Sequence, residues 1–320
     1  MDSNMTVETN VSSKPKKVLK RETKRKIFFA CVVAFPLMHF ALFYVYVHFE
    51  MIMMAFKEYE LVFGQGVVEK WVGFKNFEHV FSVISHPERH TTILAQQDAI
   101  RGMFPQTFAF FAMTMTFLPC GVLFAYYVYK NYPLSGLFRV MLYLPNIVSG
   151  VVMTAMFQEI FNHVFGVAMG FIHLVMYNFI MGFGVNVVMY TSAMCGIDTS
   201  IPESCQLDGA SAIKEFWFVT IPMIFPTIIT FLVMALAGIF GQSAHLYTFF
   251  GEGAAFQGFT TIGYFMYINQ IGSDIIMTNA GHITMSYPHL AAMGLMFTVI
   301  VVPLTLTTRR LLEKYGPSDK

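Results

Sequence analysis

The chain has 320 residues, 56% of them hydrophobic and only 12% charged, about half the charged fraction of an ordinary soluble domain. That balance excludes a soluble enzyme, and it excludes intrinsic disorder, because the apolar side chains exceed what one water-facing globule could hide. The net charge of +1 conceals an asymmetry: eight of the twenty Lys and Arg residues lie between Lys14 and Lys26, ahead of the first apolar run.

A basic stretch before an apolar span is the orientation signal of a cytoplasmic tail, so residues 1–26 are expected inside the cell. The sequons at Asn4 and Asn10 then carry no meaning, and a nucleic-acid-binding arm is the weaker reading of the same charges. The run from Ile27 to Val47 is too long for the apolar region of a secretory signal and lacks a small-residue cleavage site, so it is expected to stay as a membrane anchor. Five further apolar runs follow, at 103–128, 140–162, 174–196, 223–245 and 286–308. About 20 apolar residues cross a hydrocarbon core of about 30 Å as a helix, and the alternation of a barrel is absent. The expected fold class is an all-α polytopic membrane protein with six transmembrane helices spread over residues 27–308.

With the N-terminus inside, residues 129–139, 197–222 and 309–320 are cytoplasmic, and 48–102 and 246–285 lie outside. Fifteen of the twenty basic residues then fall inside, which satisfies the positive-inside rule. The segment 48–102 carries Trp71, Phe74, Phe77 and Phe81 among many charges and is expected to fold at the interface without spanning. Its His86, Glu88 and His90 have the composition of a metal cluster, but Pro87 interrupts helical geometry, so a polar loop is expected and no metal site. Cys31, Cys120, Cys195 and Cys205 have neither metal spacing nor the pattern of a disulfide scaffold. The second outer segment places Gly251, Gly253, Gly258 and Gly263 between aromatic residues, a mixture that permits irregular backbone only where protein or a cavity covers it. No GxxxxGK[ST] loop exists, so this chain is expected to bind no nucleotide or other cofactor itself.

The cytoplasmic stretch 201–222, IPESCQLDGASAIKEFWFVTIP, is the most specific. Ser200 and Glu203 stand at capping-box spacing with Pro202 in the first turn, predicting a short helix. Asp208 and Gly209 supply a break, because glycine adopts left-handed backbone at little steric cost. Beyond it Ile213, Phe216, Trp217, Thr220 and Ile221 recur at i, i+3, i+4, i+7 and i+8, predicting a second short helix with an aromatic face, and Pro222 leads into the next span. A bent, rigid knob of this kind can fill a partner's cleft; an interfacial loop with its aromatic residues at headgroup level is the plainer alternative.

This stretch resembles the EAA motif of binding-protein-dependent ABC importer permeases. Glu203 opens the motif, Gly209 stands six positions on, and Val219, Ile221 and Pro222 fill its closing positions; Asp208, Gly209 and Ala210 with Phe216 are typical of sugar-type members. The resemblance extends to KNYPLSGLFRVMLYLPNIVSGVV at 130–152 and WVGFKNF at 71–77. Two departures stand out: Ser204 and Cys205 replace the motif's alanines, and Gly251-Glu252-Gly253 replaces a Gly-Gly-Gly-Pro. The resemblance implies a transport subunit and no enzyme: one of two permease subunits, paired with a similar chain, two cytoplasmic ATPase subunits that carry the ATP and Mg, and an extracytoplasmic solute-binding protein. It implies that Glu203 and Asp208 bond basic groups of the ATPase, Gly209 makes the bend, and Phe216 and Trp217 enter the ATPase's cleft.

For a solute path, polar side chains inside spans are the candidates, because they are expensive in lipid and face a bundle interior. These are Asn146, Asn178, Asn186, Gln242 and Ser243, with Phe240 and Tyr247 able to stack on a sugar's apolar face. Interhelical hydrogen bonding is the competing role for the amides. An ion-coupled secondary transporter would need midplane carboxylates, and a membrane enzyme a convergent catalytic set; His39 and Glu159 supply neither.

Overall fold

The computed structural model describes residues 21–62, 66–90, 94–166, 170–274 and 285–317. The two sequons, most of the basic tail and part of the second outer segment lie outside the described residues. The chain divides into two compact units, residues 1–53 and 54–320.

The first unit is helical throughout its described residues: α1 (Arg21–Phe40) passes through a π-helical stretch (Ala41–Tyr46) into α2 (Val47–Met54). Its apolar residues point to all sides, and the helix from Glu22 to Met54 is long and apolar enough to cross a membrane. His39 stacks on Phe43 at 4.7 Å and Phe40 on Tyr44 at 4.9 Å, the i,i+4 pairing of one helix face.

The second unit opens with an antiparallel hairpin, β1 (Lys57–Val62) and β2 (Gly66–Trp71), in which Lys57 faces Trp71. The hairpin lies within the segment 48–102, expected to fold without spanning, and the other elements among the described residues are helical. Polar and apolar residues alternate along KEYELV, and Lys57 pairs with Glu69 at 2.9 Å. Asn76, on α3 (Lys75–Ser85), donates its amide to the carbonyls of Ala55 and Lys57 at 2.9 and 2.8 Å, which stitches helix to hairpin. In the HPERH stretch His86 contacts Glu88 at 3.2 Å, Glu88 pairs with Arg101 at 3.3 Å, and His90 bonds Ser82 at 2.9 Å.

Next come α4 (Leu94–Tyr129), α5 (Ser135–Ile147), α6 (Gly150–Glu159) and α7 (Phe171–Cys195). α8 (Ser200–Leu207) and α9 (Ala212–Glu215) form the charged stretch between two spans. They are followed by α10 (Ile221–Ala237), α11 (Leu246–Phe250), α12 (Ile262–Asp274) and α13 (Tyr287–Tyr315). Among the described residues five helices are long and apolar enough to cross a membrane, and six spans result when the bent pair α5–α6 counts as one. The run 140–162, expected as one helix, is broken by 105°. Pro145 removes one backbone donor, Val148 and Ser149 adopt extended ψ values of 144° and 132°, and α6 restarts at Gly150.

Backbone groups freed by such a break need partners where water is absent. Tyr177 of α7 braces the restart: its hydroxyl donates to the Gly150 carbonyl at 3.2 Å, an acceptor that also takes the Thr154 hydroxyl within α6, and it lies 2.9 Å from that Thr154 hydroxyl. Gln158 donates to the Phe249 carbonyl at 2.7 Å, tying α6 to α11. α5 and α7 cross with their backbones in contact, since a Cβ at Gly184 would overlap the Leu142 carbonyl. The main apolar cluster lies where α4, α7 and α10 meet, with Ala125, Tyr190, Met194 and Ile224 fully covered.

The run 223–245 also departs from expectation. α10 stops at Ala237, with Gly238 at its end, and residues 238–245 form turns in which Ala244 and His245 take left-handed backbone. The Gly-rich outer segment is covered by protein: Gln106 of α4 donates to the Gly258 carbonyl at 2.7 Å and accepts from Thr260 N–H at 2.8 Å. The Thr107 hydroxyl accepts the Ile262 N–H at 2.9 Å.

Candidate coupling elbow and polar cavity

The bend between α8 and α9 is made by local chemistry. The capping box expected of Ser200 and Glu203 does not form, because Ser200 is already the first helical residue. Asp198 does the capping: its Oδ1 accepts the Ser200 N–H at 3.0 Å and hydroxyl at 2.9 Å. The backbone N–H of Ser200 holds that carboxyl below the usual carboxylate range. Glu203 is exposed, Ser204 donates its hydroxyl to the Ser200 carbonyl at 2.7 Å, and Cys205 is a half-buried free thiol. Asp208 ends α8 and Gly209 follows at φ +73°. Gly209 N–H reaches the Gln206 carbonyl at 3.1 Å and Ala210 N–H reaches Cys205 at 3.0 Å, the paired bonds of a Schellman ending. Ser211 then caps α9 by accepting from Lys214 N–H at 3.4 Å.

The second helix differs from expectation in two ways. It does not stop at Pro222: α9, a π-helical turn (Phe216–Thr220) and α10 form one helix from Ala212 to Ala237. Ile221 N–H donates to the Phe216 carbonyl, five residues back, just before Pro222, which has no N–H to offer. The wider turn also splits the expected aromatic face. Glu215, Phe216 and Thr220 are buried, Glu215 and Thr220 standing five residues apart across the π-helical turn, whereas Ile213, Trp217 and Phe218 stay outside. Phe216 lies against Tyr126 with ring centroids 4.8 Å apart, so it fills the chain's own interior and not a partner's cleft. Trp217 remains available at 58% exposure, joined by Leu207 and Phe218, which the periodicity did not single out. Ile221 and Pro222 are half-buried at the head of α10.

Sequence reasoning missed the groups that fasten this elbow to the bundle. Lys130, just past the end of α4, pairs with Glu215 of α9 at 2.5 Å, with side chains 16% and 3% exposed. The Lys130 ammonium lies 5.7 Å from the ring centres of Tyr126 and Tyr129, and the Tyr126 hydroxyl donates to the Ala212 carbonyl at 3.0 Å. The available signal was Lys130 in one polar segment and Glu215, beside Glu203, in the next, which spacing alone cannot join.

Within the bundle a cavity of 330 Å³ gathers four of the seven expected path residues. Asn146 stands at the end of α5 beside the break, Asn178 and Asn186 two turns apart on α7, and Gln242 in the turn after α10. Phe110, Met113, Thr114 and Phe117 of α4 and His245 complete most of the wall. Asn178 also holds the fold together, donating its amide to the Leu174 and Ala244 carbonyls at 2.8 and 3.2 Å. The other three expectations are corrected, because the turns at 238–245 redirect a run that had been taken as helix. Phe240 packs on Phe297 at 4.5 Å, Tyr247 on Tyr267 at 5.0 Å, and Ser243 is not part of the wall. An apolar box with a few amide groups can hold a neutral polyhydroxyl solute by hydrogen bonds and ring contact.

The chain is similar to the galactooligosaccharides transport system permease protein GanP of Bacillus subtilis, at 24% identity over 278 residues, covering 79% of this chain and 62% of that protein. It is also similar to the lactose transport system permease protein LacF of Rhizobium radiobacter, at 25% identity over 173 residues, covering 48% of this chain and 58% of that one. The chain thus spans about three fifths of the length of these relatives. It shares its fold with a chain in the crystal structure of a bacterial alginate ABC transporter in complex with alginate pentasaccharide-bound periplasmic protein. The TM-score is 0.66 at 17% identity, over 93% of this chain and 99% of that one. The model of the family described as "Binding-protein-dependent transport system inner membrane component" matches residues 117–317, well over half of the chain, which therefore belongs to that family of multi-pass membrane proteins.

Proposed function

We propose that this chain is one of two membrane subunits of an ATP-driven importer for a sugar or oligosaccharide, pairing with a second permease so that the solute passes between them. Two cytoplasmic ATPase subunits, holding ATP and Mg, each dock on one elbow, and an extracytoplasmic binding protein delivers the solute. Both termini of this chain lie in the cytoplasm. ATP hydrolysis belongs to the partners. The observation that carries this reading is the elbow: a Schellman-capped bend with Glu203, Asp208, Leu207 and Trp217 exposed, interrupting an otherwise apolar bundle. Relatives named for galactooligosaccharide and lactose transport, and the amides of the cavity, support a sugar as solute.

In this mechanism the elbow is a rigid insert in the ATPase surface. Closure of the two ATPases on ATP draws the two elbows together, and the continuous α9–α10 helix turns that displacement into a rocking of the spans. Such a change requires contacts that differ between the two states, since only differential binding shifts a conformational equilibrium. Single cysteines placed along residues 203–217 should crosslink to the ATPase subunit, and Gly209→Val with Glu203→Lys should abolish binding-protein-stimulated ATP hydrolysis in the reconstituted complex. Absence of any crosslink, or accessibility of that stretch only from the cell exterior, would sink the reading.

A further inference from the structure

The elbow is attached to the bundle in three ways. Residues 196–199 join its first helix to α7, its second helix is continuous with α10, and the Lys130–Glu215 pair joins it to the end of α4. The first two follow the chain, whereas the third is made by side chains and leads to a different helix. α4 is a single 36-residue helix, and four of its residues, Phe110, Met113, Thr114 and Phe117, form part of the cavity wall. No residue between 212 and 237 lines that cavity.

A buried ion pair is weak as a stabilising device, because desolvation offsets most of its attraction; its best-attested use is to fix the relative setting of two elements. The arrangement fits that use. Glu215 is almost fully buried, the Lys130 ammonium is flanked by the rings of Tyr126 and Tyr129, and the Tyr126 hydroxyl bonds the Ala212 carbonyl within the same patch. Apolar side chains of similar volume can fill such a space without loss of stability, so stability alone does not account for the pair. We propose that Lys130 and Glu215 are a positioning pair, the latch by which displacement of the elbow reaches α4 and the side of the cavity wall that α4 forms, beyond what the chain itself carries to α7 and α10. This rests on the importer reading above.

The test uses the assembled complex with Cys31, Cys120, Cys195 and Cys205 of this chain replaced by serine. Thr114→Cys reports the cavity face of α4, and Thr230→Cys reports α10. The probe is a membrane-impermeant methanethiosulfonate reagent, applied with and without ATP plus vanadate. In the parent complex the labelling rate at both positions should change by about tenfold, within the range of ordinary coupling free energies. With Glu215→Gln the response at Thr114→Cys should fall to about twofold or less, the response at Thr230→Cys should persist, and the exchange Lys130→Glu/Glu215→Lys should restore the first. If Glu215→Gln does not assemble, Lys130→Gln neutralises the less buried partner and is read in the same way. An unchanged response at Thr114→Cys overturns the proposal, as does equal loss at both positions, which a merely structural role predicts, or failure of the exchange to restore. No ATP response at either position in the parent complex would strike the importer reading itself.

Discussion

The chain contains two helix breaks that solve the same problem by opposite means. The elbow at 208–211 lies in water and is self-contained: Gly209 takes left-handed backbone, and the carbonyls freed at the end of α8 are paired within six residues. The break at 147–150 lies inside an apolar run and is braced from α7, by the Tyr177 hydroxyl on the Gly150 carbonyl at the start of α6 and by the close backbone contact at Gly184. A break in water can be local because solvent satisfies the remaining groups, whereas one among apolar spans needs a neighbour. The first is therefore sensitive to its own residues and the second to those of α7.

Substitutions can break or sharpen this contrast. The largest effect is expected at Gly184→Leu, whose side chain would enter the Leu142 backbone. It should cost about 3 kcal/mol, the upper end of overpacking, and be seen as loss of the monodisperse peak in size-exclusion chromatography after mild heating. Next is Gly209→Val. The space around Gly209 is open, so the penalty is conformational, roughly 1–2 kcal/mol for left-handed backbone; Gly209→Asn should recover most of it in the same assay, because asparagine tolerates that region. Tyr177→Phe removes the bracing hydroxyl and should cost about 1 kcal/mol, with the thiol reactivity of a cysteine placed at Asn146 rising as the break loosens. The smallest effect is expected at Gly150→Ala, within about 1 kcal/mol of the parent, since Val148 and Ser149 set the bend. A loss there as large as at Gly184 would show that the membrane break, too, is fixed by its own residues.

The same contrast explains what could be read from sequence. Both ends of α7 and the start of α13 fall within a few residues of their apolar runs, because length and hydropathy are local quantities. The elbow's bend was legible from Asp208 and Gly209, and four amides were legible as cavity residues because a polar group in an apolar run has few other places to go. Hydropathy said nothing of the 105° bend, since a broken span and a straight one have the same composition. The assignments of Phe240, Ser243 and Tyr247 failed where α10 ended early, and Phe216 faced inward because a π-helical turn shifts phase in a way no 3.6-residue count anticipates. Lys130 and Glu215 belong to different loops, and only the packed fold makes them neighbours.

Gln106 and Thr107 secure the Gly-rich outer segment to α4 at Gly258, Thr260 and Ile262. The opposite tip of that rod holds the elbow. A strut pinned at both ends cannot tilt at one end without being felt at the other, so a displacement at either end of α4 is carried along its whole length without a separate messenger.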